Sequence, residues 1–144
     1  MGQKKTEHLV ELILAVFRLN GVILDWGDDF VAPQGLSSAR WQMLGALALA
    51  DKPLTAPQVA RRMGVTRQGA QKQLNLLVES GLIEVFPNPV HRRSPLYRLT
   101  TGGEQAYAVI DRAWTKHAAK VAAAFDTEEL ESAAGVLAVL ADMH

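Results

Sequence analysis

Hydrophobic residues in the first part of the chain recur at spacings of three and four, the periodicity of an amphipathic helix. We therefore predict a helix from about Thr6 to Leu24. Its stripe is wider than one face, so we expect burial on two sides, against its own domain and against another surface. A loop rich in Gly, Asp and Pro is expected to follow over residues 25–35. The apolar positions of the helix are Leu9, Val10, Leu12, Ile13, Leu14, Val16, Phe17, Ile23 and Leu24.

Capping residues delimit two shorter helices after this loop. Consecutive serines at 37–38 offer hydroxyl caps to a helix that ends near Ala50. Thr55 with Gln58 three residues later matches a capping box, in which side chains and backbone amides bond reciprocally. This spacing predicts a short helix over residues 56–63.

A further helix and a hairpin come next. Thr66 can cap a helix that continues to Ser80, and Gly81 can take the left-handed conformation that ends many helices. Residues 82–85 favour an extended strand, and residues 96–99 alternate as a half-buried strand does. Three prolines bracket the basic loop between them. The order helix, turn, helix, strand, loop, strand predicts a winged helix-turn-helix whose hairpin is the wing.

The C-terminal part is predicted to be helical and rich in alanine. One long helix is expected from Thr100 or Thr101 to about Phe125, and Thr127 can cap a last helix. One small winged helix cannot cover the stripes of these helices and of the first one, so we expect a homodimer. The fold class is mainly α with a small β-hairpin wing. The expected organisation is a single domain over residues 1–144, a winged helix-turn-helix region at 36–100, and dimerisation helices at 6–30 and 101–144.

Charge is balanced overall but unevenly distributed. Fifteen Lys and Arg oppose fifteen Asp and Glu, which alone argues against nucleic-acid binding because phosphate neutralisation needs clustered cations. Residues 52–98, however, hold eight cations and two acids, a net +6, and the remainder of the chain sums to −6. A basic surface that could face DNA is therefore predicted, the alternative being chance clustering on a solvated face.

Several classes of function lack their sequence signals. Without cysteine the chain has no disulfide, thiolate ligand or thiol redox sensor. The apolar run near the N-terminus is interrupted by Glu7, Glu11 and Arg18, and no run approaches a membrane span, so a soluble cytoplasmic protein is expected. Catalytic motifs are missing, and we expect no enzyme and no cofactor. We expect no metal site; the alternative pairs His8 and His117.

The helix after Thr66 divides into two faces. Ala70, Leu74, Leu77 and Val78 share the face expected in the core. Arg, Gln and Asn side chains on the opposite face can make bidentate hydrogen bonds to bases, whereas Lys72 suits a phosphate. The alternative for each is simple solvent exposure. The predicted DNA-binding residues, including two wing arginines suited to a minor groove, are Thr66, Arg67, Gln68, Gln71, Lys72, Asn75, Arg92 and Arg93.

The segments LTAPQVARRMGVTRQGAQKQLNLLVESGLIEV and HRRSPLYRLTTGGEQAY, with helices at both ends, resemble the MarR family of bacterial transcription regulators over almost the whole chain. The resemblance implies intertwined homodimers, each subunit reading half of a palindromic operator, and release of DNA by a small aromatic or anionic ligand. It places Gln71, Lys72 and Asn75 in the major groove and Arg93 at the wing tip. The family commonly has aspartate where this chain has His91.

The sequence thus predicts a sequence-specific DNA-binding repressor that is released by a small-molecule effector. The alternative is a winged-helix protein-interaction module that does not bind DNA, for which the zero net charge is the main argument. An effector pocket is predicted from apolar and aromatic residues, although for each of them alone core packing is the commoner role. The candidate lining residues are Trp26, Trp41, Trp114 and His117.

Overall fold

The computed structural model describes residues 2–144. Its described part contains six α-helices and one antiparallel hairpin of two strands, which confirms the predicted fold class. Residues up to Tyr107 form one compact unit and residues 108–144 a second, so the boundary falls inside a helix. In chain order the elements are α1 (Gly2–Val31), α2 (Ser38–Leu49), α3 (Ala56–Met63), α4 (Arg67–Glu79), β1 (Ile83–Phe86), β2 (Leu96–Leu99), α5 (Thr101–Ala122) and α6 (Thr127–Met143).

The core of the first unit lies where α2, α3 and α4 pack on one another. Burial of each large apolar side chain removes it from water and contributes about 1.5 to 3 kcal/mol. This core fixes the orientation of α4 and of the hairpin that follows it. Its largest fully buried side chains are Val31, Met43, Leu44, Leu54, Val59, Leu74, Leu77 and Ile83.

The predicted caps of α3 and α4 are confirmed. The Thr55 hydroxyl accepts from the Gln58 amide at 3.4 Å, and the Gln58 side-chain oxygen accepts from the Thr55 amide at 2.9 Å. The Thr66 hydroxyl accepts a hydrogen bond from the Gly69 amide at 2.9 Å. Gly81 has a positive φ of 76° after the end of α4, as predicted. Local chemistry therefore specifies both helices of the helix-turn-helix.

The predicted end of the first helix is wrong. The helix α1 continues beyond Leu24 to Val31, and a 3-10 turn, Ala32–Gln34, replaces most of the remaining loop. The reason is tertiary, because Ser38 at the start of α2 is bound to this part of α1. Its amide donates to the Asp28 carboxylate at 2.8 Å, and its hydroxyl donates to the Leu24 carbonyl at 2.6 Å. Residues that favour loops are here contact residues on a helix.

The second half of the chain also differs in detail from the prediction. Helix α5 ends at Ala122 rather than near Phe125, and the N-cap of α6 is Asp126 rather than Thr127. The Glu129 carboxylate accepts from the Asp126 amide at 2.9 Å, so an acid three residues into the helix favours this earlier start. None of the helices within residues 2–144 is long and apolar enough to cross a membrane.

Candidate nucleic-acid interface

Helix α4 presents a polar surface directly opposite its buried one. Ala70, Leu74 and Leu77 are fully buried, while Val78, expected in the core, is only half-buried. Gln71 is also half-buried. The predicted contact residues that are exposed on this helix are Arg67, Gln68, Lys72 and Asn75.

The N-terminus of α4 is closed by Thr66, whose side chain is already engaged as the cap. A Cβ added at Gly69 would lie 3.0 Å from the Thr66 hydroxyl oxygen. Glycine at this position therefore gives the cap room, in addition to any closer approach of another molecule. Thr66 organises a helix terminus whose amides can support a phosphate, and its hydroxyl, which accepts a bond from the Gly69 amide, keeps its own proton to donate.

Gln71 is held by two hydrogen bonds. Its side-chain amide donates to the Asn75 side-chain oxygen at 2.9 Å and to the Tyr97 hydroxyl at 2.9 Å. Tyr97 lies in β2, so this contact joins the polar face of α4 to the wing. Tyr97 is not among the contact residues predicted from the sequence, since its position in an alternating segment predicted only a half-buried strand.

The wing contains arginines of two kinds. Arg98 lies opposite Glu84 in the hairpin and forms an ion pair with it. The Arg98 guanidinium also lies 4.4 Å from the centre of the Phe86 ring. Arg92 and Arg93 are exposed in the loop and form no ion pair with any described residue. The cations of the wing that are free to meet a phosphate are therefore those of the loop.

The loop of the wing is organised by Asn88, another residue that is not among those predicted from the sequence. Its side-chain nitrogen donates to the Ser94 carbonyl at 3.0 Å, and its side-chain oxygen accepts from the Val90 amide at 3.1 Å. Asn88 is buried, and the Ser94 amide closes the turn by donating to the His91 carbonyl at 3.1 Å. The signal was available, since asparagine between two prolines favours an Asx turn.

A cleft of about 270 Å³ brings α4 and the wing together. It lies between the start of α3, the N-terminal half of α4 and the return of the wing. It unites four of the predicted contact residues, whereas Thr66, Lys72, Asn75 and Arg92 do not line it. Its lining residues are Ala56, Pro57, Arg67, Gln68, Gln71, Arg93, Ser94 and Pro95.

The residues predicted for an effector pocket form ring contacts in each compact unit. In the first, Trp26 stacks on Phe30 with ring centres 4.7 Å apart, and Phe30 lies 5.5 Å from Trp41. In the second, the rings of Trp114 and His117 are 6.0 Å apart on α5. These contacts also suit core packing, so the pocket stays a prediction.

The histidine considered as a metal ligand near the N-terminus has a simpler environment. His8 lies 3.5 Å from the carboxylate of Glu11, one turn further along α1. Both side chains are exposed. No group of three or more His, Asp or Glu residues in the described part of the chain is arranged to hold a metal ion.

The helix-turn-helix, the hairpin and the exposed polar face of α4 define a winged helix-turn-helix protein, and comparison with known proteins gives its family. A model of the MarR family matches residues 34–94. A protein of Mycobacterium tuberculosis, itself uncharacterised, is 43% identical over 109 residues, which cover 75% of each chain. The chain belongs to the MarR family, whose members are DNA-binding transcription regulators and not enzymes.

Solved structures agree with this assignment. The crystal structure of a MarR-family transcription regulator is 26% identical, covers 98% of this chain and 93% of its own, and superposes with a TM-score of 0.78. A mutant MarR of Escherichia coli, complexed with operator DNA, shares the fold at 19% identity and a TM-score of 0.76, over 92% of this chain and 95% of its own.

Proposed function

We propose that this chain is a sequence-specific repressor that binds double-stranded DNA through α4 and the wing. One observation carries the proposal, namely that polar residues in the first half of α4 and Arg93 of the wing line the same cleft. A helix that enters the major groove beside a wing that reaches the neighbouring minor groove needs this arrangement.

Each polar residue of this surface has a separate role in the proposal. Arg67, Gln68, Gln71 and Asn75 read base edges, and a good bidentate contact contributes about 1 to 3 kcal/mol of discrimination. Lys72 and the helix N-terminus behind Thr66 bind phosphates, which fixes the register without reading sequence. Arg92 and Arg93 place guanidinium groups in the minor groove, where the potential is most negative.

The proposed active form is a homodimer. Large apolar side chains are exposed along α1, among them Leu14 and Phe17, and also along α6, among them Val139 and Met143. Water-exposed apolar surface on this scale is unfavourable, and a second copy would cover it. A twofold dimer presents two recognition helices to half-sites about one helical turn apart, so the operator is palindromic.

We propose that a small aromatic or anionic effector releases the protein from DNA. The protein and its operator are proposed to lie in the cytoplasm. The candidate residues are Trp26 and Trp41 in the first unit and Trp114 and His117 in the second. An effector acts only to the extent that it binds the DNA-incompetent arrangement more tightly. A thermal-shift screen of aromatic carboxylates, followed by operator release, tests this part of the proposal.

DNA binding itself is tested with fragments that flank the chain's own gene. Fluorescence anisotropy at several salt concentrations should show a specific complex whose affinity falls steeply with salt, against a scrambled fragment of the same length. Circular dichroism and light scattering confirm that the protein used is a folded dimer. A folded dimer without specific binding at low salt would refute the repressor and favour the protein-interaction module.

A further inference from the structure

We propose that Tyr97 is a specificity-determining positioning residue. It fixes the side-chain amide of Gln71 and thereby determines which hydrogen-bonding group Gln71 offers to a base. The inference rests on the proposed function, because it concerns the same DNA-binding surface. It adds a residue that touches no DNA to those that determine which operator is chosen. Three observations on the two residues and their neighbours carry it.

The hydroxyl of Tyr97 has a fixed position. Tyr97 as a whole is 3% exposed, and it pairs with Val85 in the hairpin. On its other side the Tyr97 amide donates to the Leu54 carbonyl at 2.8 Å, and the Leu54 amide donates to the Tyr97 carbonyl at 3.2 Å. Two backbone hydrogen bonds to Leu54, the pairing with Val85 and a buried side chain leave Tyr97 little freedom. Its hydroxyl is therefore a hydrogen-bond partner with a fixed position, whereas the side chain that it binds is flexible.

The flexible side chain that binds the Tyr97 hydroxyl is that of Gln71. A glutamine side chain that is free in water loses rotamer entropy when it is ordered. In this protein its nitrogen donates both to the Tyr97 hydroxyl and to the Asn75 side-chain oxygen, each at 2.9 Å. Most of this ordering is complete before any DNA arrives, which favours a preorganised contact.

The two bonds also decide which groups remain for a base. A primary amide has two N–H donors and one oxygen acceptor. Both donors of Gln71 are used inside the protein, so its oxygen remains, while Asn75 keeps its own side-chain N–H groups. The pair offers an acceptor beside a donor. This suits a base edge that presents a donor beside an acceptor, as adenine does with its N6 amino group and N7.

Loss of the Tyr97 hydroxyl frees the Gln71 amide to rotate. A freely rotating amide can offer either its oxygen or its nitrogen at the same place, so it accepts more than one base. We therefore expect Tyr97→Phe to lower discrimination at one position of each half-site by about tenfold. Affinity for DNA of unrelated sequence should stay within about twofold, because phosphate contacts supply that affinity.

The test begins with selection of the preferred operator of the wild-type protein from a random pool. Dissociation constants are then measured for this operator and for each of its single-base variants. The proteins are wild type, Tyr97→Phe, Gln71→Ala and the double variant. Tyr107→Phe serves as the control, since it removes the hydroxyl of the other tyrosine. In the Gln71→Ala background, Tyr97→Phe should change discrimination no further, because its effect passes through Gln71.

Two outcomes would overturn the inference while leaving the proposed function intact. One is a folded Tyr97→Phe variant that discriminates between the operator and its single-base variants as well as the wild type does. The other is a loss of discrimination on Tyr97→Phe that has the same size in the wild-type and Gln71→Ala backgrounds. A folded wild-type dimer that selects no operator would instead refute the proposed function, and the readout role with it.

Nuclear magnetic resonance of the wild-type protein provides a measurement that needs no variant. Hydrogen-bonded Gln71 side-chain protons should exchange more slowly with water than those of Gln34 and Gln105, which are exposed. Equal exchange rates would contradict the restraint by Tyr97, even if Tyr97→Phe should prove too unstable to study.

Discussion

Arg98 and Glu84 lie directly opposite each other in the two strands of the wing and form an ion pair. The pair neutralises one of the eight cations that give residues 52–98 their positive charge. Arg93, in the loop between the strands, forms no ion pair with any described residue and lines the cleft beside α4. Two arginines only five positions apart should therefore contribute differently to DNA binding.

We predict that Arg93→Ala weakens binding to the operator and to unrelated DNA alike. A cation in the minor groove displaces counterions of the neighbouring phosphates, so its loss should reduce the magnitude of the slope of log affinity against log salt by about 0.9 for each subunit. Anisotropy titrations at several salt concentrations measure this slope. Arg98→Ala is the matched control and should leave the slope almost unchanged, because Arg98 is bound to Glu84 and so displaces no counterion from the DNA. An equal loss of slope in both variants would contradict this division.

Asn88 is predicted to be essential for the shape of the wing. Asn88→Ala removes the bonds to Ser94 and Val90 and should cost about 1 to 2 kcal/mol in the free energy of unfolding. Operator affinity should fall as well, because the loop that carries Arg93 is no longer held. Ser94→Ala keeps the carbonyl that accepts from Asn88 and serves as the control. Urea unfolding and anisotropy measure the two effects, and wild-type values for Asn88→Ala would contradict the assignment.

Local signals in the sequence were sufficient for the helix-turn-helix and insufficient for the contacts between its parts. The caps at Thr55 and Thr66 depend on residues three positions away, so the sequence alone could specify them. The bond from Gln71 to Tyr97 joins residues 26 positions apart and depends on how the wing folds back on α4. No periodicity or motif in the sequence indicates a contact between residues so far apart in the chain.

The error in α1 has the same origin. Residues 25–31 contain glycine and three aspartates, which favour a loop when only their neighbours are considered. Contact with α2 reverses that preference, because Ser38 bonds both to Asp28 and to the Leu24 carbonyl. Helix propensity amounts to less than about 1 kcal/mol per residue, so two tertiary hydrogen bonds and a buried surface outweigh it.

Gly27 is predicted to be required for this junction. A Cβ at this position would lie 2.2 Å from the Ser38 hydroxyl oxygen, so Gly27→Ala must displace that oxygen and break its bond to α1. We expect a loss of about 1 to 3 kcal/mol in the free energy of unfolding. Gly45→Ala, whose Cβ would meet only a ring atom of Tyr107 at the ordinary separation of 3.7 Å, is the control and should be neutral or stabilising, since alanine favours helix.

The double variant of Gly27→Ala with Ser38→Ala checks the cause of that loss. The next contact of the added Cβ is the Cβ of Ser38 at 3.4 Å, which is an ordinary separation. The double variant should therefore be more stable than the sum of the two single losses predicts, and thermal or urea unfolding measures the difference. Strict additivity would show that the steric contact with the hydroxyl is not the source of the loss.

The exposed apolar face of α1 gives the last prediction, which concerns the dimer. Leu14 and Phe17, one turn apart, are 61% and 71% exposed. If a second copy covers them, Phe17→Glu places a charge in an apolar interface, and the protein should be a monomer at micromolar concentration in light scattering. Leu49→Glu is the control, since Leu49 is 75% exposed but lies at the end of α2, outside the proposed dimer helices.

Loss of the dimer should also change DNA binding in a way that a local defect would not. Two linked recognition helices gain from the high effective concentration of the second half-site, so the monomer should bind the full palindrome roughly a hundredfold more weakly. Its affinity for an isolated half-site should equal that of one wild-type subunit, because α4 and the wing are unaltered. A monomeric Phe17→Glu variant with undiminished affinity for the full operator would mean that dimerisation through α1 is not what positions the two winged helices.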